Sequence, residues 1–136
     1  ITIVDTRILS SQTGLEAQKA GDRWLVVIAT VDITSSDSRD DLTEALRLRD
    51  VPGLLDVAPN PILLAQDATD VTYLNPGMPE RLGFAWEQSG AAPVPTSVQV
   101  EVYDETRQPD LGGNLGWFPN ATAAAIVRTP VQDKRV

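Results

Sequence analysis

Arg23-Trp24-Leu25-Val26-Val27-Ile28-Ala29-Thr30-Val31 decides the fold of this chain, together with its counterpart Leu82-Gly83-Phe84-Ala85-Trp86-Glu87. The first stretch is entered from a Gly21-Asp22 turn and runs on to Ile33-Thr34. Leu25, Val27, Ala29, Val31 and Ile33 fall on one face at the two-residue period of a strand. The opposite face is apolar at Val26 and Ile28 and polar at Thr30, Asp32 and Thr34. That pattern predicts a strand covered on both sides at its start and wet on one side at its end. The second stretch leaves a turn at Asn75-Pro76-Gly77, where Pro and Gly stand as a type II turn requires. Leu82, Phe84 and Trp86 then point one way, and Arg81, Gly83, Ala85 and Glu87 the other.

Around this pair the chain reads as short strands with Gly/Pro turns between them. Thr2 to Leu9 is rich in β-branched residues and reads as a strand, and Ser10 to Ala20 as a loop. A helical turn is expected to about Ala45, then a strand from Leu46 to Asp50, closed by Val51-Pro52-Gly53. Pro59 and Pro61 exclude a central strand, so Ile62 to Ala65 reads as an edge strand or a helical turn. Val71 to Leu74, Val98 to Val102 and Thr122 to Thr129 complete the strands, with Pro130 as the expected end of the last. Many short strands with little helix predict an all-β, immunoglobulin-like sandwich of two antiparallel sheets with at most one short helical segment. Leu25, Val27, Val31, Leu82, Phe84, Trp86, Val98, Val100 and Val102 are its expected shared core. Trp24 is expected at the core's edge.

At 136 residues the chain is read as one domain, 1–136, large enough to bury a core without staples. No apolar run approaches the ~20 residues that span a bilayer, so no direct membrane insertion by this domain is expected. The net charge of -8 repels phosphate backbones and anionic headgroups, and no nucleic acid partner is expected. Basic charge is carried mostly by Arg, with Lys only at Lys19 and Lys134.

Cysteine and histidine are both absent. Their absence removes disulfides, thiolate metal sites and every triad or general base built on His. Lys19 and Lys134, the lysines available to a Ser-Lys dyad, lie in polar surroundings. No set of nucleophile, base and orienter assembles. No enzymatic activity, no catalytic residue and no cofactor is therefore expected.

Two segments stand out as candidate sites. Asp37, Asp40 and Asp41 crowd one loop with Ser35, Ser36 and Ser38, oxygen donors of the kind that hold calcium. Their spacing matches no regular calcium loop and Arg39 interrupts them, so the fold is expected not to require a metal. Gly112-Gly113-Asn114-Leu115-Gly116-Trp117-Phe118-Pro119 reads as a glycine-rich loop with two adjacent aromatics. Trp117 and Phe118 are the candidate protein-binding residues, since displayed aromatics serve as interface anchors. The alternative is that they fold back over an open end of the sandwich. Asn120-Ala121-Thr122 matches a glycosylation sequon.

The early strand Arg23 to Val31, with Leu74-Asn75-Pro76-Gly77 and Leu82 to Glu87 downstream, resembles the telokin-like or immunoprotective-extracellular-protein-like domains. These are immunoglobulin-like sandwiches of secreted or membrane-anchored proteins of Gram-positive bacteria. The likeness covers Gly21 to Val102. It departs after the early strand, where Ile33-Thr34-Ser35-Ser36 stands in place of an Asn-containing turn, and it finds no counterpart for Asp40 to Asp70. The resemblance implies an extracytoplasmic binding or scaffolding domain with a protein partner at the cell surface, and it brings no catalytic residues. The chain begins at Ile1, and a signal peptide, lipid anchor or membrane helix is expected to precede it. Two other roles remain open: a small-molecule or calcium-binding extracytoplasmic module, and an accessory domain of a larger enzyme or transporter.

Overall fold

The structure, a computed structural model, describes residues 1–10, 15–31, 45–63, 69–70, 80–103, 105–109, 111–119 and 122–135. For 61–63, 69–70, 80, 105–109 and 115–119 it describes the backbone alone. The strands are β1 (Thr2–Leu9), β2 (Arg23–Val31), β3 (Leu46–Arg49), β4 (Asn60–Leu63), β5 (Thr69–Asp70), β6 (Glu80–Gln88), β7 (Ser97–Val102), β8 (Glu105–Pro109), β9 (Leu115–Pro119) and β10 (Ala125–Asp133). The chain is all-β, and no helix occurs among the described residues.

Eight strands run in the order β3-β7-β10-β1-β2-β6-β4-β5, and β8 and β9 pair with each other. Among the described residues every pair is antiparallel except β1 with β10. The expected purely antiparallel arrangement is corrected at that one pair. β10 accounts for it by changing partners along its length. Ala125 to Pro130 pair with β7, whereas Val131 to Asp133 pair with β1. Pro130 was expected to end the strand; instead it marks the change of partner. The Val131 N–H beside it donates to the Thr96 carbonyl at 2.9 Å.

β2 and β6 pair over their full lengths, Arg23 with Gln88 through Val31 with Glu80. Residues of alternating polarity place Leu25, Val27, Leu82, Phe84 and Trp86 on one face. All five are buried in a single cluster with Ile8, Leu46, Val98, Val100 and Val102. In the strand order β1 and β10 separate β2 from β7. Neighbouring strands lie ~4.8 Å apart, whereas packed side chains meet within ~4.5 Å. The sheet curls to bring them together.

The other face of β2 is also covered. Trp24, Val26, Ile28 and Ala85 form a second buried cluster, with Leu9 and Leu15 packed on it. Thr30, at the strand's far end, is half-buried, as the polarity change predicts. Trp24 is thus a member of this second cluster rather than a cap on the edge of the main core.

Three expectations shift on the structure. β3 ends at Arg49, and Asp50 follows in a left-handed conformation, φ 57°. Asn60 to Leu63 is a strand, not a helical turn, and Pro61 lies within it. Among the described residues β5 pairs with Ile62 and Leu63, and Pro61 has its ladder neighbour on the β6 side. The glycine-rich stretch is a hairpin whose second strand is Leu115–Pro119, not a loop throughout. Val71 to Leu74 and the helical turn before Ala45 lie outside the described residues.

Candidate functional site

Trp117 and Phe118 sit in β9. In backbone register they face Arg107 and Thr106 of β8. Glycine-rich residues turn the hairpin at its tip, with Gly113 at φ 83°, a conformation that L side chains rarely adopt. Leu111, beside that turn, is fully exposed. The side chains of Trp117 and Phe118 lie outside the described residues, as do Asp37, Asp40, Asp41 and Asn120.

The place of this hairpin in the chain is informative. The Ala124 N–H donates to the Val102 carbonyl at 2.8 Å, and Ala125 pairs with Val102. The chain therefore returns to the main sheet where it left it. Residues 103–123 are an insertion at the β7–β10 connection, and among the described residues β8 and β9 pair only with each other.

A second cluster escaped the sequence reading. Asp22, Arg23, Glu87 and Gln88 are all buried at the end of the β2–β6 pair. The Arg23 Nε–H donates to the Gln88 Oε1 at 2.8 Å, and its Nη2 donates to the Ala92 and Pro93 carbonyls at 2.6 and 3.0 Å. Gln88 Nε2 donates to the Pro52 carbonyl at 2.9 Å. The Gln18 N–H donates to both Glu87 carboxylate oxygens at 2.9 Å, and the Gly90 N–H to Asp22 Oδ1 at 3.1 Å. Three loops are thereby tied to one strand end. Arg23 stands opposite Gln88 and Glu87 opposite Trp24 at the end of the two most apolar strands, and at buried positions such polar and charged groups must find partners.

Burial, with the Asp22 carboxylate alongside, pushes the Glu87 carboxyl above its ordinary value. A hydrogen bond from Glu87, and then the Gly90 N–H, hold Asp22 below its own. Glu87 is thus the member of the pair that takes up a proton first as pH falls. These carboxyls are engaged by donors of the chain itself, an arrangement that ties loops together. Glycosidase-type pairs instead flank a space for substrate.

A groove of about 720 Å³ runs past the end of β3, lined by Leu48, Val51, Leu54, Leu55 and Val57, with Asp50 and Asp56 among its walls. Leu55 and Val57 are exposed. Beneath it the Trp86 indole N–H donates to the Val57 carbonyl at 3.1 Å, tying the groove's wall to the core.

No family model, curated protein or solved structure matches the chain.

Proposed function

We propose that this chain is a non-catalytic binding or scaffolding module that acts outside the cytoplasmic membrane and contacts a partner protein through the β8–β9 hairpin. One observation carries the reading: the hairpin is an insertion whose strands, among the described residues, pair only with each other. Ordering each residue of such a ribbon costs ~1–2 kcal/mol of backbone entropy. A two-stranded ribbon alone is marginally stable in water. An element that adds no strand to the main sheet is better accounted for by a contact outside the domain. Trp117 and Phe118 within it, and Leu111 exposed beside its turn, supply apolar anchors.

The finer fold belongs to the same proposal: an immunoglobulin-like sandwich with β1, β2, β6, β4 and β5 in one sheet and β3, β7 and β10 in the other. The single core cluster drawn from β2, β6, β3 and β7 supports it. So does the partner change of β10 at Pro130, a strand that serves both halves. The extracytoplasmic location rests on the resemblance of Arg23–Val31 and Leu82–Glu87 to the telokin-like domains.

The test is a photo-activatable amino acid placed at Leu111 of the full-length protein in its own cells. A discrete adduct with a second protein is expected. A Trp117→Ser, Phe118→Ser double variant should lose that adduct at an unchanged melting temperature. The absence of an adduct, or unfolding of the double variant, would overturn the reading.

A further inference from the structure

β3, β7 and β10 turn a second surface outward, and it differs in charge from the rest of the chain. Val98, Val100 and Val102 alternate inward on β7, so Ser97, Gln99, Glu101 and Tyr103 face out. On β3, Leu46 is buried and Arg47 and Arg49 take the outer positions. On β10, Thr129 is buried while Ile126 and Arg128 are exposed. The registers align these side chains in rows. Arg49 stands opposite Gln99, and Gln99 opposite Arg128. The next outward row is Arg47, Glu101 and Ile126.

Glu101 is already engaged. Arg49 lies 3.8 Å from it, and the Tyr103 hydroxyl donates to it. Arg47 covers the Tyr103 ring, 5.2 Å from its centre. Arg128 has no hydrogen-bond or ion-pair partner among the described residues. A pocket of about 200 Å³ is lined by Arg49, Asp50, Pro52, Pro95, Gln99 and Arg128. Asp50 forms no ion pair with either arginine among the described residues. Pockets for drug-sized ligands run ~300–1,000 Å³, so this one is sized for a single side chain.

We infer that the outer face of β3, β7 and β10 binds an acidic segment of a partner protein, one of whose Asp or Glu carboxylates sits between the Arg49 and Arg128 guanidiniums. Charge complementarity selects the occupant. Three arginines stand against Glu101, which is already engaged, and Asp50, which lines the pocket, a local excess of positive charge on a chain whose net charge is -8. Planar guanidinium forks match a carboxylate's two oxygens, and Gln99 adds an amide donor. Exposed Ile126 and the Arg47-covered Tyr103 add an apolar rim beside the charged row, the residue mixture of interface hot spots. A nucleic acid would meet the same arginines but also the acidic remainder of the chain. The inference goes beyond the hairpin reading, and it rests on a different face, so either stands without the other.

The probe is a deca-glutamate peptide titrated into the full chain, with arginine side-chain and backbone amide resonances followed by NMR. Saturable shifts are expected at Arg49, Gln99 and Arg128, with affinity falling as salt rises. Arg49→Gln and Arg128→Gln should each weaken binding ~10–100-fold, the range of a hydrogen bond to a charged group. Both variants should melt with wild-type, since both side chains lie on the outer face. The Trp117→Ser, Phe118→Ser variant should bind the peptide as wild-type does. Shifts spread evenly over Arg7, Arg81 and Arg135, or unaltered affinity in both Gln variants, would overturn the inference. So would tighter binding of an oligothymidylate of equal charge.

Discussion

Phe84 pairs with Val27 on one side and Pro61 on the other, and none of its surface reaches water. Its removal leaves a cavity in the middle of the main cluster. Phe84→Ala is expected to lower stability by about 3–5 kcal/mol in denaturant unfolding. A loss under about 1 kcal/mol, the size of a surface change, would contradict this register. Glu87 behaves differently, because its effect depends on pH. Its carboxyl is held above the ordinary range by burial, with Asp22 beside it. Its contribution is complete below the ordinary Glu value and is lost as pH rises through the raised folded value. Asp22 is held low, so its contribution is present above the ordinary Asp value and is lost as pH falls through the depressed one. The pair is therefore best accommodated in mild acid and opposed by mutual repulsion at neutral pH. Glu87→Gln keeps an oxygen for the Gln18 N–H and gains an amide that donates to Asp22. The variant should melt above wild-type at neutral pH, and its advantage should shrink as pH falls into the range where Glu87 is protonated. An offset that is the same at every pH would refute the shared proton.

The strands that alternate strictly were legible as elements, and those governed by their neighbours were not. β2, β6 and β7 follow from period-two alternation of large apolar residues, because one buried face fixes both existence and register, and β1 follows from its β-branched residues. All nine residues expected in the core lie in the one cluster. β4 is ambiguous in sequence because Pro61 argues against a strand, whereas its pairing with Phe84 of β6 is a relation that the local sequence does not show. β10 was cut short at Pro130 for the same reason: nothing local announces that a strand will trade β7 for β1. The hairpin was read as a loop because its glycines are strong turn signals, and its pairing is a relation between β8 and β9 that neither shows alone. The buried Asp22–Arg23–Glu87–Gln88 cluster was missed because charged residues at strand ends ordinarily meet solvent. The close approach of its loops rests on Gly90, where a Cβ would collide with the Gly21 carbonyl oxygen. Gly90→Ala must push the Gly21–Asp22 turn away and stretch the Gly90–Asp22 hydrogen bond. It should cost about 1–3 kcal/mol and bring an added amide-exchange signal at Gln18 and Gly90. Wild-type stability and exchange in the variant would show that the turn yields freely.

At the scale of the whole molecule, the fold divides into a curled sheet with one shared core and an inserted ribbon. Among the described side chains, the members of the core cluster come from the strands and connections of the main sheet. β7 and β10 are already joined where the insertion begins and ends, by the Ala124 N–H to Val102 carbonyl bond and the Ala125–Val102 pair. Strands meeting this closely can be linked by a two-residue turn, for which Asn-Gly is the favoured pair. Replacing residues 104–123 by Asn-Gly should therefore give a folded domain with the β7–β10 register intact. Shortening the connection also lowers its closure entropy, though only by about 0.6 kcal/mol for each halving of length. The shortened chain should unfold cooperatively within about 1 kcal/mol of the parent, and Val98, Val100 and Val102 amides should keep their slow exchange. It should also bind the deca-glutamate peptide, because Arg49, Gln99 and Arg128 lie outside the excised segment, while losing the adduct formed at the hairpin. A shortened chain that is unfolded, or that exposes the β7 amides, would show that the ribbon is part of the fold. Its candidate role as a contact for a partner would then have to yield to a structural one.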